Sequence, residues 1–379
     1  LKTLEELSEK NPIVLEELKK TLSPKAYQEF LDMTKTTDIA DFEVKIFTAV
    51  EQVAVESSEG RALVRIKDLK GQATDRFTVP KEQVPLEPED VAEGVTVVPV
   101  KIGIDPKVIA LTKRWGEGVA ISQDAIDDCQ TDLITLSLES VGKGFAQKED
   151  KFIFTTLLRE VDVPDEDIAG NIAATTYTFA HNPSLQIIRI LADAVDVTAH
   201  LEVHDMYHGK FKMDNDNSGK TLHCHYTYTT HTLVVDAATD GTLAYADVTT
   251  AFALSRNLYE KQTVIVGNPR GVSQMITDTK FISAYEGSGK LAPVVSGEIG
   301  EFAGLRVLNT TRVIEGAALC LDPKRFVWIV TKGGMYEKTY SPANNDSHEF
   351  YFYERMGGDV VNGSAAALIV NIGAKSGPL

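Results

Sequence analysis

The chain has 379 residues, 43% hydrophobic and 25% charged, with a formal net charge of −17. That acidity excludes a protein that grips nucleic acid by neutralising phosphates, which needs clustered Lys and Arg, though not a wall that merely surrounds it. No run approaches the ~18–20 apolar residues of a membrane span, and the charged start LKTLEELSEK cannot serve as a secretory signal. Three scattered cysteines, Cys129, Cys224 and Cys320, make no C-x-x-C pair and favour assembly in a reducing compartment.

Residues 1–40 carry apolar side chains at helical spacing, and Ser23-Pro24 marks the start of a second helix. They predict a charged helical arm too thinly apolar to form a core alone. The first residue is Leu rather than Met, which suggests that a preceding piece has been removed or is missing from this sequence. From 41 to 100, FEVKIFTAVEQVAVES and GRALVRIKDL read as strands separated by a turn at Glu59-Gly60. A proline-rich stretch follows (Pro80, Pro85, Pro88, Pro99, Pro106), suited to extended edges. A long charged hairpin of this kind does not hold itself together and predicts a partner surface.

Residues 122–158 form the clearest helix: Ser122 is placed to cap it, and Ile126, Cys129, Leu133, Leu136, Val141 and Phe145 run down one face. Gly142 and Gly144 weaken its middle or permit a close backbone approach. Beyond 171 the chain reads as mixed α/β. SLQIIRILADAVDVTAH and TLAYADVTTAFALSRNLY look helical, TVIVG is a buried strand before an Asn-Pro turn, and HYTYTTHTLVVD alternates as a strand. The segment after residue 320 is strand-rich and aromatic.

Six of the eight histidines fall between His200 and His231, around the run HDMYHGKFKMDNDNSGKTLHCH. Asp214, Asp216 and Ser218, with Gly219, match the first half of a calcium loop, but His225 stands where the closing glutamate belongs. His204 and His208 at helical i, i+4 spacing, and His223 and His225 on one face of a strand, offer zinc-type ligands without an H-E-x-x-H motif. A cation there would steady a loop, and a metal-dependent enzyme is the reading from another class. The alternative is a solvated hairpin tip whose histidines are hydrogen-bonded. No Walker motif, dinucleotide fingerprint or G-x-S-x-G nucleophile elbow accompanies the cluster, so no catalytic residue is assigned, no cofactor is expected, and the chain reads as no enzyme.

Three stretches in order carry a family resemblance: GVAISQDAIDDCQTDLITLSLESVGKGFAQKEDKFI, YADVTTAFALSRNLYEKQTVIVGNPRGVSQM and SGEIGEFAGLRVLNTTRVIEGAALCLDPKRFVWI. Together they resemble the major capsid proteins of tailed viruses, the Hong Kong 97 fold. The resemblance implies an α+β chain divided into an N-terminal arm (1–40), an extended β-hairpin loop (41–100) and a peripheral domain with a long spine helix (101–170). An α/β axial domain (171–320, with 200–236 an inserted hairpin) and a return to the peripheral domain (321–379) complete it. It further implies self-assembly into pentamers and hexamers of an icosahedral shell enclosing double-stranded DNA without sequence-specific binding. Scaffolding, protease, portal and decoration proteins would be its partners, no membrane would be involved, and the virion, assembled in the host cytoplasm, would be its location. An encapsulin-type compartment shares the fold and is the near alternative.

Overall fold

The computed structural model describes residues 50–55, 57–80, 106–122, 131–169, 176–214, 217, 220–237, 242–256, 258, 260–277, 301–340 and 347–373. The helical arm expected over 1–40 lies outside them, as do Asp216 and Ser218. Strands and helices are numbered in chain order.

A four-stranded sheet sets the long dimension, in the order β1 (Arg65–Asp68), β17 (Val327–Tyr340), β18 (Ser347–Val360), β4 (Lys113–Ser122). β17 and β18 form an antiparallel ribbon from Val327 opposite Val360 to Tyr340 opposite Glu349. Strict alternation on β18 decides its two faces: Phe350, Phe352, Glu354 and Met356 are buried, while Tyr351, Tyr353 and Arg355 lie half-buried on the other side.

Against the buried face lies α1 (Thr131–Leu157), ~40 Å long at 1.5 Å per residue. Val141, Phe145, Glu149, Ile153 and Leu157 recur every four residues along its covered stripe. Ser122 is not its cap: it is the last residue of β4, paired with Ser347, because the ladder to β18 continues that far. Gly142 permits the close approach. A Cβ there would sit 2.9 Å from the Val53 side chain and 3.1 Å from the Val50 carbonyl. Those residues belong to a helical turn at 50–55, where alternation suggested a strand. Packing of Val50 and Ala54 against α1 decided that segment, a tertiary override of β-propensity.

The chain then makes a short 3-10 turn, Gly60–Leu63, enters β1, and runs out as β2 (Arg76–Pro80) and back as β3 (Pro106–Ala110). Val79 and Ile109 of this pair pack on Val330 of β17, and Phe77 stacks on Trp328 with centroids 5.8 Å apart.

A six-stranded sheet forms the second body, in the order β12 (Val234–Asp236), β19 (Ala366–Val370), β16 (Ala318–Leu321), β13 (Val264–Gly267), β15 (Leu305–Asn309), β14 (Glu301–Phe302). β13, β16 and β19 are buried at every residue, so their sequences are continuous apolar runs without alternation. One face meets α1 and the first sheet through Val264, Val266, Leu319, Leu321 and Leu368. The other is covered by α2 (Tyr245–Arg256) and α3 (Pro269–Thr277), with Val248, Ala251 and Met275 facing it. The expected Asn-Pro turn holds: the Asn268 carboxamide oxygen accepts from the Arg270 N–H at 3.2 Å as α3 begins at Pro269. β14 and β15 join through Ala303-Gly304, both at positive φ, the geometry of a tight hairpin turn.

Between the two bodies in sequence, residues 160–229 build a β module with its own core. Its four-stranded sheet runs β5 (Glu160–Ala169), β11 (Thr221–Thr229), β7 (Ser184–Ala192), β8 (Val195–Asp196), and its three-stranded sheet β6 (Thr176–Thr178), β10 (Lys210–Met213), β9 (Leu201–Asp205). Phe179 stacks between Tyr226 (4.0 Å) and Phe211 (4.8 Å) at its centre. SLQIIRILADAVDVTAH, expected as a helix, is therefore β7, a turn at Asp193-Ala194 with both φ positive, and β8. Its β-branched residues pair with β11, where Ile190 is wholly buried opposite Cys224.

Candidate functional site

Among the described residues, those singled out as metal ligands (His204, His208, Asp214, His223 and His225) do not gather at one point. His204 lies on β9, not on a helix, and is half-buried with Nε2 2.7 Å from the Ser184 hydroxyl. Burial pushes its pKa down to about 4. His208 sits in the turn that follows, where Gly209 takes φ +63° and reverses the chain, so the i, i+4 ligand pair never forms. Its Nδ1 contacts Asp205 Oδ2 at 2.8 Å. Asp214 lies 2.8 Å from the Nδ1 of His200, away from both.

His223 and His225 do share a face of β11, as expected, and each meets carboxylates of the neighbouring β5. His225 Nε2 is 2.8 Å from Asp162; His223 Nδ1 is 2.6 Å from Asp167 and 3.4 Å from Asp165. Among the described residues the donors of Asp165, Asp167 and His223 lie within 4.8 Å of one another on an exposed ridge. Sequence spacing could not show the two aspartates beside a histidine 56 and 58 positions on, because strand register brings them together. β5 is an edge strand, and Pro164 with its five acidic residues is what blunts an edge against stray pairing.

A second polar cluster, unmarked by any motif, holds the root of the β2–β3 extension. Asp150 of α1 accepts from the Gly60 N–H (2.9 Å), the Ser58 hydroxyl (2.8 Å) and the Glu59 N–H (3.3 Å). Arg61 donates from Nε to Glu149 at 2.8 Å and reaches Glu354 of β18 at 3.9 Å, while Trp115 of β4 donates its indole N–H to Glu354 at 3.0 Å. Burial raises the Glu149 pKa to about 7 and raises that of Glu354 as well. This network ties three elements to the first turn of the extension. Its hydrogen bonds run from Arg61, the Ser58 hydroxyl and the Glu59 and Gly60 N–H groups to the carboxylates of α1, which anchors the turn on the helix.

The described part of the extension is covered on one face only. Val79 and Ile109 are buried against β17, while Val108 of β3 is 50% exposed, an apolar residue left in solvent on the other face.

A long helix on a ribbon sheet, a two-stranded pair laid on that ribbon, and a helix-flanked mixed sheet with an inserted β module together define the Hong Kong 97-like fold. The capsid of Ralstonia phage GP4 overlays with a TM-score of 0.51 at 14% identity, over 85% of this chain and 90% of that one. A chain of Mycobacterium phage Che8 overlays with a TM-score of 0.50 at 12% identity, over 84% of this chain and 92% of that one. The holo-SrpI encapsulin complex from Synechococcus elongatus PCC 7942 gives 0.42 at 8% identity, over 84% and 88%, too loose an overlay to argue from. No family model matches the sequence, and no curated protein does.

Proposed function

We propose that this chain is the major capsid protein of a tailed double-stranded DNA virus, a structural subunit without catalytic role that closes with its copies into an icosahedral shell. The observation that carries the reading is a fold that overlays the GP4 capsid along most of both chains, with an extension rooted by Arg61, Glu149, Asp150 and Glu354 that leaves Val108 exposed. Obligate assemblies complete such surfaces with interfaces of ~2,000 Å² or more. The acidic chain suits a container whose wall surrounds DNA without gripping it. Scaffolding, protease, portal and decoration proteins would be its partners, and the virion its location. No described helix is long and apolar enough to cross a membrane.

Expression of the full chain followed by negative-stain electron microscopy tests the reading. Polyhedral particles built of five- and six-fold clusters are expected. A protein that remains monomeric across salt, pH and concentration overturns it, and shells that enclose an enzyme cargo instead of DNA move it to a protein compartment.

A further inference from the structure

Two carboxylates and an imidazole meet on the outer face of the β module, where β5 runs beside β11. Asp167 stands opposite His223 in the ladder, and Asp165, two residues away on the same strand, shares its face. The residue between them is pinned to the other side: Glu166 accepts from the Ala180 N–H at 2.8 Å and from the hydroxyl of the wholly buried Tyr226. Cys224, the neighbour of His223, is buried likewise. The two strands therefore hold the outward groups together, whatever bonds those groups make among themselves.

Charge balance at the ridge is incomplete. Both aspartates are exposed, and among the described residues neither is paired with a lysine or an arginine. Their partner is His223 Nδ1, 2.6 Å from Asp167 and 3.4 Å from Asp165. One imidazole N–H serves one carboxylate well and leaves two like charges with oxygens within 4.8 Å of each other. A dication removes that repulsion, since two carboxylates, a neutral imidazole and a divalent ion sum to zero.

The spacing fits as well. Zinc bonds of ~2.0–2.1 Å at tetrahedral angles set ligand atoms ~3.3–3.4 Å apart. Asp165 already stands at that distance from His223, and Asp167 reaches it by backing off about 0.8 Å. The imidazole selects the metal. Magnesium and calcium take oxygen ligands, whereas zinc accepts nitrogen and carboxylate oxygen together and keeps a position for water. His225, next along the same face, is the internal contrast: its Nε2 meets a single carboxylate, Asp162, at 2.8 Å.

We propose that Asp165, Asp167 and His223 bind a zinc-class divalent ion that clips the edge strand β5 to β11. An ion held by the paired strands and not by the separated ones stabilises the module by mass action. The site needs only the folded chain and stands apart from the shell reading.

Zinc titrated into the chelator-treated full chain provides the test. Wild type is expected to bind one equivalent more than His223→Ala, and one more than Asp165→Asn/Asp167→Asn, while His225→Ala keeps the wild-type count. Zinc raises the melting of wild type and His225→Ala above that of the other two, and magnesium at equal concentration does not. Should a variant fail to fold, acylation of the wild-type histidines by diethyl pyrocarbonate, mapped by mass spectrometry, reads the site directly. Zinc at about ten times its Kd slows modification of His223 roughly tenfold and leaves that of His225 unchanged. An equal zinc count in wild type and His223→Ala, equal protection of both histidines, or an equal response to magnesium overturns the site and leaves adventitious binding to bare carboxylates.

Discussion

Arg61 and Glu149 are joined at 2.8 Å from Nε to Oε1, and that one guanidinium also faces Glu354 at 3.9 Å, with Glu51 acting on Glu354 from the helical turn behind. Two buried carboxylates thus share a single cation at the point where the extension leaves the body. Burial wins over the Arg61 contact at Glu149, and its folded pKa rises to about 7 from the usual 4.5.

A raised carboxylate pKa means that the folded protein holds a proton the unfolded chain releases. This stabilisation is fully present below about pH 4.5 and is lost as pH rises through about 7, on the order of 3 kcal/mol across that window. Glu354 shifts in the same direction. Glu149→Gln, neutral throughout, is expected to remove most of the slope and to melt higher than wild type at pH 8. A wild-type melting curve that is flat between pH 5 and 8, or a slope unchanged in Glu149→Gln, refutes the arrangement. Arg61→Met leaves both carboxylates without their cation and should cost ~3–5 kcal/mol at pH 8, less at pH 5.

Asp150 acts on the backbone rather than on charge. Its carboxylate satisfies two N–H groups and a hydroxyl at the first turn of the extension. Asp150→Ala leaves the buried Gly60 N–H without a partner, an expected loss of ~1–3 kcal/mol. Hydrogen exchange should rise at Gly60 and the Arg61–Leu63 turn while β13 and β16 stay protected. Uniform loss of protection would show that the root is no separate unit.

Phe211 is wholly buried in the β module, stacked on Tyr177 and Phe179. Truncation to Ala removes the middle of that stack and should cost ~3–5 kcal/mol. Because the module has its own core, the damage is expected as an early, separate melting step, with the step of the six-stranded sheet unmoved. A single lowered transition would mean that the module and the mixed sheet unfold together.

What the sequence made legible, and what it hid, divides along local and non-local physics. α1, α2 and the buried TVIVG strand carry their signals within a few residues, and the structure has each; the Asn268-Pro269 turn is there too, but it opens a helix, α3, that the sequence reading did not include. The strand reading of residues 50–55 and the helical reading of β7 failed because short apolar runs fit either period. Partners far along the chain decided them: Gly142 for the first, β11 for the second. The histidine run looked like one site because its members are close in sequence. On strands they alternate faces and diverge, so His223 meets Asp165 and Asp167 while His204 turns to Ser184. Arg61, Glu149 and Glu354 had no motif at all, since their meeting depends on a helix, a turn and a distant strand.

Asn371 carries the last prediction, at the seam between the module and the mixed sheet. Its carboxamide donates to Asp205 at 2.9 Å and Asp236 at 2.6 Å, and accepts from the Met206 N–H at 2.7 Å, on a backbone at φ +66°. Burial would raise the Asp205 pKa, but the hydrogen bonds from Asn371 and His208 overcome it and hold the carboxyl low. Its contribution is thus present above the ordinary carboxylate range and lost as pH falls through the lowered value. Asn371→Asp keeps the shape but sets a third carboxylate against two others and removes both donations, so it should destabilise strongly at pH 8 and recover in part at pH 5, where one carboxyl can take a proton and donate again. Asn371→Gly keeps the left-handed backbone, loses the three bonds, and should be weakened about equally at both pH values. Melting of the two variants side by side separates charge from geometry: parallel pH profiles would mean that the Asp205–Asn371–Asp236 bridge is not what joins the module to the sheet.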